Sequence, residues 1–208
     1  MGKKFGIYLI TPEKIDLKYF IEDFEKAIKT NLVSYVQLRL KNCSDETILK
    51  TASSLLEITK KFNVPLIIND RPDIALKSGA NGVHIGQNDS TITKAREILG
   101  NKLIIGSTCH NSIDLACKAV NLGANYVAFG AFNKSTSKKI DFYAELSILE
   151  WWKRISNTPS VAIGGITPNN FKDLVTFGAD YLAVISSVWK HPRGPAFALN
   201  EYFKEMPN

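Results

Sequence analysis

The chain has 208 residues, 45% apolar and 22% charged, an ordinary globular composition at the size of one domain. That excludes a disordered tail, a collagen and a disulfide scaffold, and no apolar run approaches the ~18 residues of a membrane span. The net charge of +6 comes from 26 Lys and Arg against 20 Asp and Glu. The basic residues lie singly or in pairs, such as Lys60-Lys61 and Lys138-Lys139, without the run that marks a nucleic-acid-binding segment. Cys43, Cys109 and Cys117 are odd in number and lack a C-x-x-C spacing. They are expected to be reduced thiols in a cytosol, not a disulfide or a metal site. Met1-Gly2-Lys3-Lys4-Phe5 has a charged tip and no apolar stretch behind it, so no signal peptide is expected.

In chain order, apolar runs fall at 6–10, 35–38, 66–68, 82–85, 103–105, 126–129, 161–163 and 181–185. They are continuous and rich in Val and Ile, as parallel strands buried on both faces should be. Between them lie helical patterns. Residues 16–30 place Leu17, Phe20, Ile21, Phe24, Ala27 and Ile28 on one face. Residues 44–62 open on Ser44, and residues 111–122 carry Ile113, Leu115, Ala116, Ala119, Val120 and Leu122. Thr167-Pro168 predicts an N-cap and a first-turn proline for a helix over 169–177. Gly79-Ala80-Asn81, Gly123-Ala124-Asn125 and Gly178-Ala179-Asp180 each precede an apolar run. Glycine there suits a helix C-cap, and the recurrence points to a repeated β/α unit. The expectation is a single (β/α)₈ barrel domain over 1–208, with a doubly wound open sheet as the structural rival.

A barrel carries its chemistry at the carboxyl ends of its strands. After the first run, Thr11-Pro12 is uninformative. After the second, alternation puts Gln37, Arg39 and Lys41 on one face, and two cations on an inward face call for an anionic partner. After the third comes Asn69-Asp70-Arg71-Pro72; taken alone, Asp70 reads better as a cap for the helix that Pro72 begins than as a metal ligand. After the fourth, Asp89 follows His84-Ile85-Gly86-Gln87. Two carboxylates on neighbouring loops can share one Mg²⁺, and with Arg39 and Lys41 beside them they suggest a Mg²⁺-diphosphate site. His84 is expected to be a hydrogen-bonded structural residue, because Mg²⁺ prefers oxygen. Ser107-Thr108-Cys109-His110 follows the fifth run, and a long loop of hydroxyls and cations, 130–139, follows the sixth. After the seventh, Gly164-Gly165 would let the backbone approach a phosphate, and after the eighth stands Ser186-Ser187.

Five segments stand in order: Tyr8-Leu9-Ile10-Thr11, Gln37-Leu38-Arg39-Leu40-Lys41, Ile67-Ile68-Asn69-Asp70-Arg71, Gly82-Val83-His84-Ile85-Gly86-Gln87-Asn88-Asp89 and Val161-Ala162-Ile163-Gly164-Gly165-Ile166. Together with the loop after the sixth run they resemble the thiamine-phosphate synthase family, from about Phe5 to Ser187. The resemblance implies a Mg²⁺-dependent barrel. It would join 4-amino-2-methyl-5-hydroxymethylpyrimidine diphosphate to 4-methyl-5-(2-phosphoethyl)thiazole, giving thiamine phosphate and pyrophosphate. It implies further that Asp70 and Asp89 bind Mg²⁺, and that Arg39, Lys41, Asn69 and Lys138 hold the diphosphate. Gln37 and Thr108 would meet the aminopyrimidine. Ser135, Ser137, Gly165, Ile185 and Ser186 would hold the thiazole phosphate, with Gly164 beside them. Arg39, Lys41 and Lys138 would carry the catalytic charge.

The chain departs from the family in its loop. Where Gly-Pro-x-x-Pro-Thr-x-Thr-Lys is usual, Gly130-Ala131-Phe132-Asn133-Lys134-Ser135-Thr136-Ser137-Lys138 stands, without either proline. Thr108 replaces a usual serine and Leu40 a usual glutamate. The related thiazole tautomerases have a histidine where Ala131 stands and lack the Asp89 carboxylate. A barrel that only senses thiamine phosphates would have less need of two metal carboxylates. The expected partners are small molecules, with no nucleic acid and no membrane, and homo-oligomerisation is left open.

Overall fold

A computed structural model describes residues 5–134 and 141–204. Eight parallel strands close into one barrel in sequence order, β1 to β8, with β1 hydrogen-bonded to both β2 and β8. The strands are β1 Gly6–Ile10, β2 Val33–Leu38, β3 Leu66–Asn69 and β4 Gly82–Ile85, then β5 Ile104–His110, β6 Tyr126–Gly130, β7 Ser160–Ile163 and β8 Tyr181–Val184. Closure excludes the open-sheet alternative. Outside lie α1 Leu17–Lys29, α2 Asp45–Thr59, α3 Pro72–Ser78, α4 Ile92–Leu99 and α5 Ile113–Asn121. They are followed by α6 Ser147–Ile155, α7 Lys172–Thr176, α8 Ser186–Trp189 and α9 Pro195–Lys204. Among the described residues no helix is long and apolar enough to cross a membrane.

The helix starts follow side-chain chemistry. Asp16 accepts from the Lys18 N–H at 3.1 Å, Ser44 from Thr47 at 3.2 Å and Ser112 from Leu115 at 3.2 Å; the first two open their helices where expected, while α5 opens at Ile113, inside the expected 111–122. The helix after β7 differs from expectation. Asn170 takes the Thr167 N–H on its Oδ1 at 2.8 Å and donates its Nδ2 to the Gly165 carbonyl at 2.9 Å. That side-chain turn closes the segment before any helix begins, so α7 starts at Lys172 and Thr167 is not its cap.

The three Gly-Ala junctions do more than end helices. In each, the following Asn or Asp reaches back to the strand before the helix. The Asn81 Oδ1 accepts from the Leu66 N–H at 2.9 Å, the Asn125 Oδ1 from Ile105 at 2.8 Å, and the Asp180 Oδ2 from Ser160 at 2.8 Å. The backbone N–H groups of the same three residues return bonds to the Leu66, Ile105 and Ser160 carbonyls at 2.8, 2.7 and 3.2 Å. The repeated triplet thus locks strands 3–4, 5–6 and 7–8 into pairs at the end of the barrel opposite the site.

Two buried regions result. A large apolar layer joins the outer faces of the strands to the helices, with Ile7, Leu9, Val36, Leu38, Ile68 and Val83 on the strand side. The barrel interior is a smaller, aromatic cluster around Tyr8, Tyr126, Ala128, Val161 and Ala183, with Tyr35 and Tyr181 against it. Glycines make room for the rings: a Cβ on Gly106 would stand 1.9 Å from the Tyr126 Cζ, and one on Gly6 would stand 2.6 Å from the Tyr181 ring.

Candidate active site

Chain ends of β2, β3 and β4 assemble the charged half of the mouth. Gln37 is buried and donates its Nε2 to the Asn69 Oδ1 at 2.8 Å, linking β2 to β3. The Arg39 N–H goes to the Thr11 hydroxyl at 2.9 Å. Its guanidinium donates to the Glu13 Oε1 at 2.6 Å, and its side chain is only 13% exposed. Glu13 is the partner of Arg39 that sequence reasoning passed over. Its carboxyl is held below the usual range by the Arg39 hydrogen bond, and its carbonyl accepts from the Lys41 N–H at 3.1 Å. Lys41 itself is exposed.

Asp70 does not cap α3. The residue at that position is Arg71, without a side-chain cap bond. Asp70 instead takes a left-handed conformation, φ 62°, with its N–H on the His84 carbonyl at 2.8 Å. Arg71 anchors the turn from outside by gripping Asp45 at 2.8 and 3.0 Å and Asp73 at 2.9 and 2.7 Å. Asp89 is aimed by its own loop, its Oδ2 accepting the Gly86 N–H at 2.9 Å. A Cβ on Gly86 would stand 2.5 Å from that oxygen, so glycine is what admits the carboxylate. Burial and the facing Asp89 push the Asp70 carboxyl up to about 6, against the pull of Lys41 and Asn69. Two carboxylates in contact carry more negative charge than Lys41 offsets, so the pair suits a shared cation. Among the described residues no group of three or more His, Cys, Asp or Glu side chains is placed to hold a metal ion. A hard divalent ion that keeps waters and takes ligand oxygens needs no more than these two.

Below the mouth, the His84 Nδ1 lies 2.9 Å from the Tyr126 hydroxyl, and its Nε2 lies 2.8 Å from the Thr108 hydroxyl. The Tyr126 hydroxyl is 2.6 Å from that of Tyr8. Desolvation in the barrel pushes the imidazole down to about 4, so the ring is neutral at pH 7. The Gln87 Nε2 donates to the Thr108 carbonyl and fixes the backbone there. His84 is the structural residue that the sequence suggests. Cys109 next door is fully buried and its thiol is pushed up to about 12 by desolvation, so it is no nucleophile. Cys43 and Cys117 are exposed, and all three thiols are free.

The other half of the mouth is built from backbone and hydroxyls. Gly164 and Gly165 have φ of 106° and 59°. Their missing side chains are explained first by the loop after β6. A Cβ on Gly164 would stand 2.4 Å from the Ala131 Cβ, and one on Gly165 would stand 2.1 Å from the Lys134 carbonyl. Phe132 and Asn133 donate to the Ile163 and Gly164 carbonyls, both at 3.1 Å, while Ala131 and Phe142–Ala144 exchange two bonds of 2.9 Å. The stems of the loop are therefore fixed. Ser135, Ser137 and Lys138 lie outside the described residues. Ile185 precedes α8 and Ser186 opens it. The buried Tyr202 hydroxyl ties this region together, donating to the Ile166 carbonyl at 3.0 Å and lying 2.9 Å from the Ser187 hydroxyl. A separate cleft of about 560 Å³, lined by Ile113, Asp114, Tyr143, Glu145 and Trp151 among others, contains none of these groups.

A closed parallel barrel with paired carboxylates, cations and glycine turns at the carboxyl ends of its strands is an architecture for handling phosphorylated small molecules. The family model described as thiamine monophosphate synthase matches residues 7–188, and the chain belongs to that family. It is 44% identical over 200 residues to the thiamine-phosphate synthase of Rhodospirillum centenum, covering 96% of this chain and 97% of that one. It is 42% identical over 193 residues to the thiamine-phosphate synthase of Pelagibacter ubique, covering 93% and 92%. Among solved structures it resembles the thiamine phosphate pyrophosphorylase from Pyrococcus furiosus with a TM-score of 0.83 and 30% identity, over 97% of this chain and 95% of that one.

Proposed function

We propose that the chain is a thiamine-phosphate synthase, a cytoplasmic transferase with two small-molecule substrates. It would join 4-amino-2-methyl-5-hydroxymethylpyrimidine diphosphate to 4-methyl-5-(2-phosphoethyl)thiazole and release pyrophosphate. The observation that carries this is the Asp70–Asp89 pair beside β2, whose carboxyl end leads into Arg39 and Lys41. It stands in a chain related over nearly its whole length to enzymes of that name.

In this assignment Asp70 and Asp89 hold Mg²⁺, which supplies positive charge to the diphosphate and to pyrophosphate as it leaves. Arg39, Lys41, Asn69 and Lys138 bind the diphosphate. Glu13 keeps the Arg39 guanidinium folded over the mouth, and the guanidinium has further N–H donors for phosphate oxygen. Gln37 and Thr108 orient the aminopyrimidine. The C–O bond to the diphosphate breaks and its electron pair leaves with pyrophosphate. The electron-rich ring bears the resulting cation, and the thiazole nitrogen closes the new C–N bond. Ser135, Ser137, Gly164, Gly165, Ile185 and Ser186 hold the thiazole phosphate as an anchor. The residues contribute mainly position and charge, with no protein nucleophile, in keeping with a Cys109 thiol that stays protonated.

Two related activities are weighed against it. Ala131 stands where a tautomerase carries its histidine, and Asp89 is a carboxylate that such enzymes lack. A pure sensor would not need both aspartates. Mixing the two substrates with Mg²⁺ and measuring pyrophosphate and thiamine phosphate separates them. One pyrophosphate per thiamine phosphate is expected. Binding without turnover, or isomerisation of a thiazole without pyrophosphate, would refute the assignment.

A further inference from the structure

Inside the barrel, four side chains form one hydrogen-bonded line: the Tyr8 hydroxyl, the Tyr126 hydroxyl at 2.6 Å, the His84 ring at 2.9 Å and the Thr108 hydroxyl at 2.8 Å. Tyr8 and Tyr126 are buried, while Thr108 is partly exposed at the mouth. We propose that this line has a fixed direction, which makes Thr108 a hydrogen-bond donor to the substrate ring and makes His84 a positioning residue for the pyrimidine. It rests on the assignment of Thr108 to the aminopyrimidine and extends it to residues outside the mouth.

The direction follows from counting protons. A neutral imidazole has one N–H and one bare nitrogen, and each hydroxyl has one hydrogen. Suppose Tyr8 donates to Tyr126 and Tyr126 to the His84 Nδ1. Then Nε2–H donates to the Thr108 oxygen, and the Thr108 hydrogen is free to point into the mouth. Every buried donor is satisfied. In the reverse direction Thr108 donates to Nε2, Nδ1–H to Tyr126, and Tyr126 to Tyr8. The Tyr8 hydrogen is then left over in the barrel interior, where Tyr126 is the hydroxyl's hydrogen-bond partner among the described residues. A buried unsatisfied donor is costly, and the forward direction avoids it. The Thr108 hydrogen is therefore the one left over for the substrate, and a ring nitrogen of the aminopyrimidine, an acceptor, is what it meets.

Nitrogen-15 NMR of the ring nitrogens tests the direction without substrate. The chain has three histidines, so His84 is assigned by the signal lost in His84→Gln. The expected state is Nε2 protonated and Nδ1 bare at pH 7; a protonated Nδ1 overturns the proposal. Tyr8→Phe leaves Tyr126 donating to Nδ1 and should keep that tautomer. Tyr126→Phe removes the donor and should mix the tautomers. The same variant, checked for folding by its thermal transition, should raise KM for the pyrimidine diphosphate about three- to tenfold, the worth of one neutral hydrogen bond. KM for the thiazole phosphate should stay within about twofold, while Thr108→Val reproduces the defect and Thr108→Ser restores it. An unchanged pyrimidine KM in both Tyr126→Phe and Thr108→Val overturns the positioning role. Pyrophosphate release by the unmodified protein reports separately on the proposed activity.

Discussion

Asp70 shows how a single residue's setting redirects its role. The sequence Asn69-Asp70-Arg71-Pro72 suits a helix cap, yet a left-handed φ turns Asp70 away from α3 and toward Asp89. No local pattern announces that, because the conformation is imposed by the Asp70 N–H bond to His84 across two strands. Glu13 was equally hidden, being the acid directly after an uninformative Thr-Pro. Its partner Arg39, 26 positions away, becomes visible only once β1 and β2 pair. The raised Asp70 carboxyl has a consequence for stability. A folded value near 6 against an ordinary 3.8 favours the folded state while the group is protonated, and that contribution is lost as pH rises through 6. Asp70→Asn should therefore be more stable than the unmodified protein at pH 7.5 in chelator, by on the order of 1 kcal/mol once solvent screening is allowed for, and equal to it below about pH 4. Thermal denaturation across that range checks it, and a less stable variant at pH 7.5 would contradict it. For the thiols, Cys43→Ser, Cys109→Ser and Cys117→Ser should each keep turnover. A folded but inactive Cys109→Ser would point to nucleophilic chemistry instead.

At the level of elements, the apolar runs located every strand, because strands covered on both faces read as continuous hydrophobic segments. They placed β5 too short. Gly106-Ser107-Thr108-Cys109-His110 looks like a loop, but it continues the strand because Thr108 and Gly106 face a barrel interior of tyrosine and histidine. The four-residue α8 was also illegible, being too short for any periodicity. The Gly-Ala triplets were legible as helix ends, while the backward bond from Asn or Asp to the earlier strand needed coordinates. Asn81→Ala and Asn125→Ala should each strand a backbone N–H at the base of the barrel. The expected loss is about 1–3 kcal/mol, at about 2–4 °C in Tm for each. Retained Tm in both would mean that the side-chain bonds do not lock the strand pairs. Gly165→Ala should also lower Tm, because its methyl meets the Lys134 carbonyl and its φ is positive. Ser186→Ala is therefore the cleaner probe of the thiazole phosphate.

Across the whole molecule the mouth divides into two halves of different chemistry. Side-chain charge gathers at β2 to β4, where Arg39, Lys41, Asp70 and Asp89 stand, and backbone with hydroxyls at β7 and β8. A diphosphate that becomes a leaving group calls for the first, and a phosphate that only anchors calls for the second. Ser186→Ala should accordingly raise KM for the thiazole phosphate several-fold with little change for the pyrimidine diphosphate, whereas Arg39→Ala should also lower kcat. Steady-state kinetics with each substrate varied in turn would decide it, and equal increases for both substrates in Ser186→Ala would show one undivided site. The most direct test of the mouth as a metal-assisted diphosphate site is pyrophosphate release over a Mg²⁺ titration by the unmodified protein, Asp70→Asn and Asp89→Asn. Turnover should require Mg²⁺ and fall by about a hundredfold or more in both folded variants at every concentration. Near-full turnover at low Mg²⁺ in either variant would contradict it.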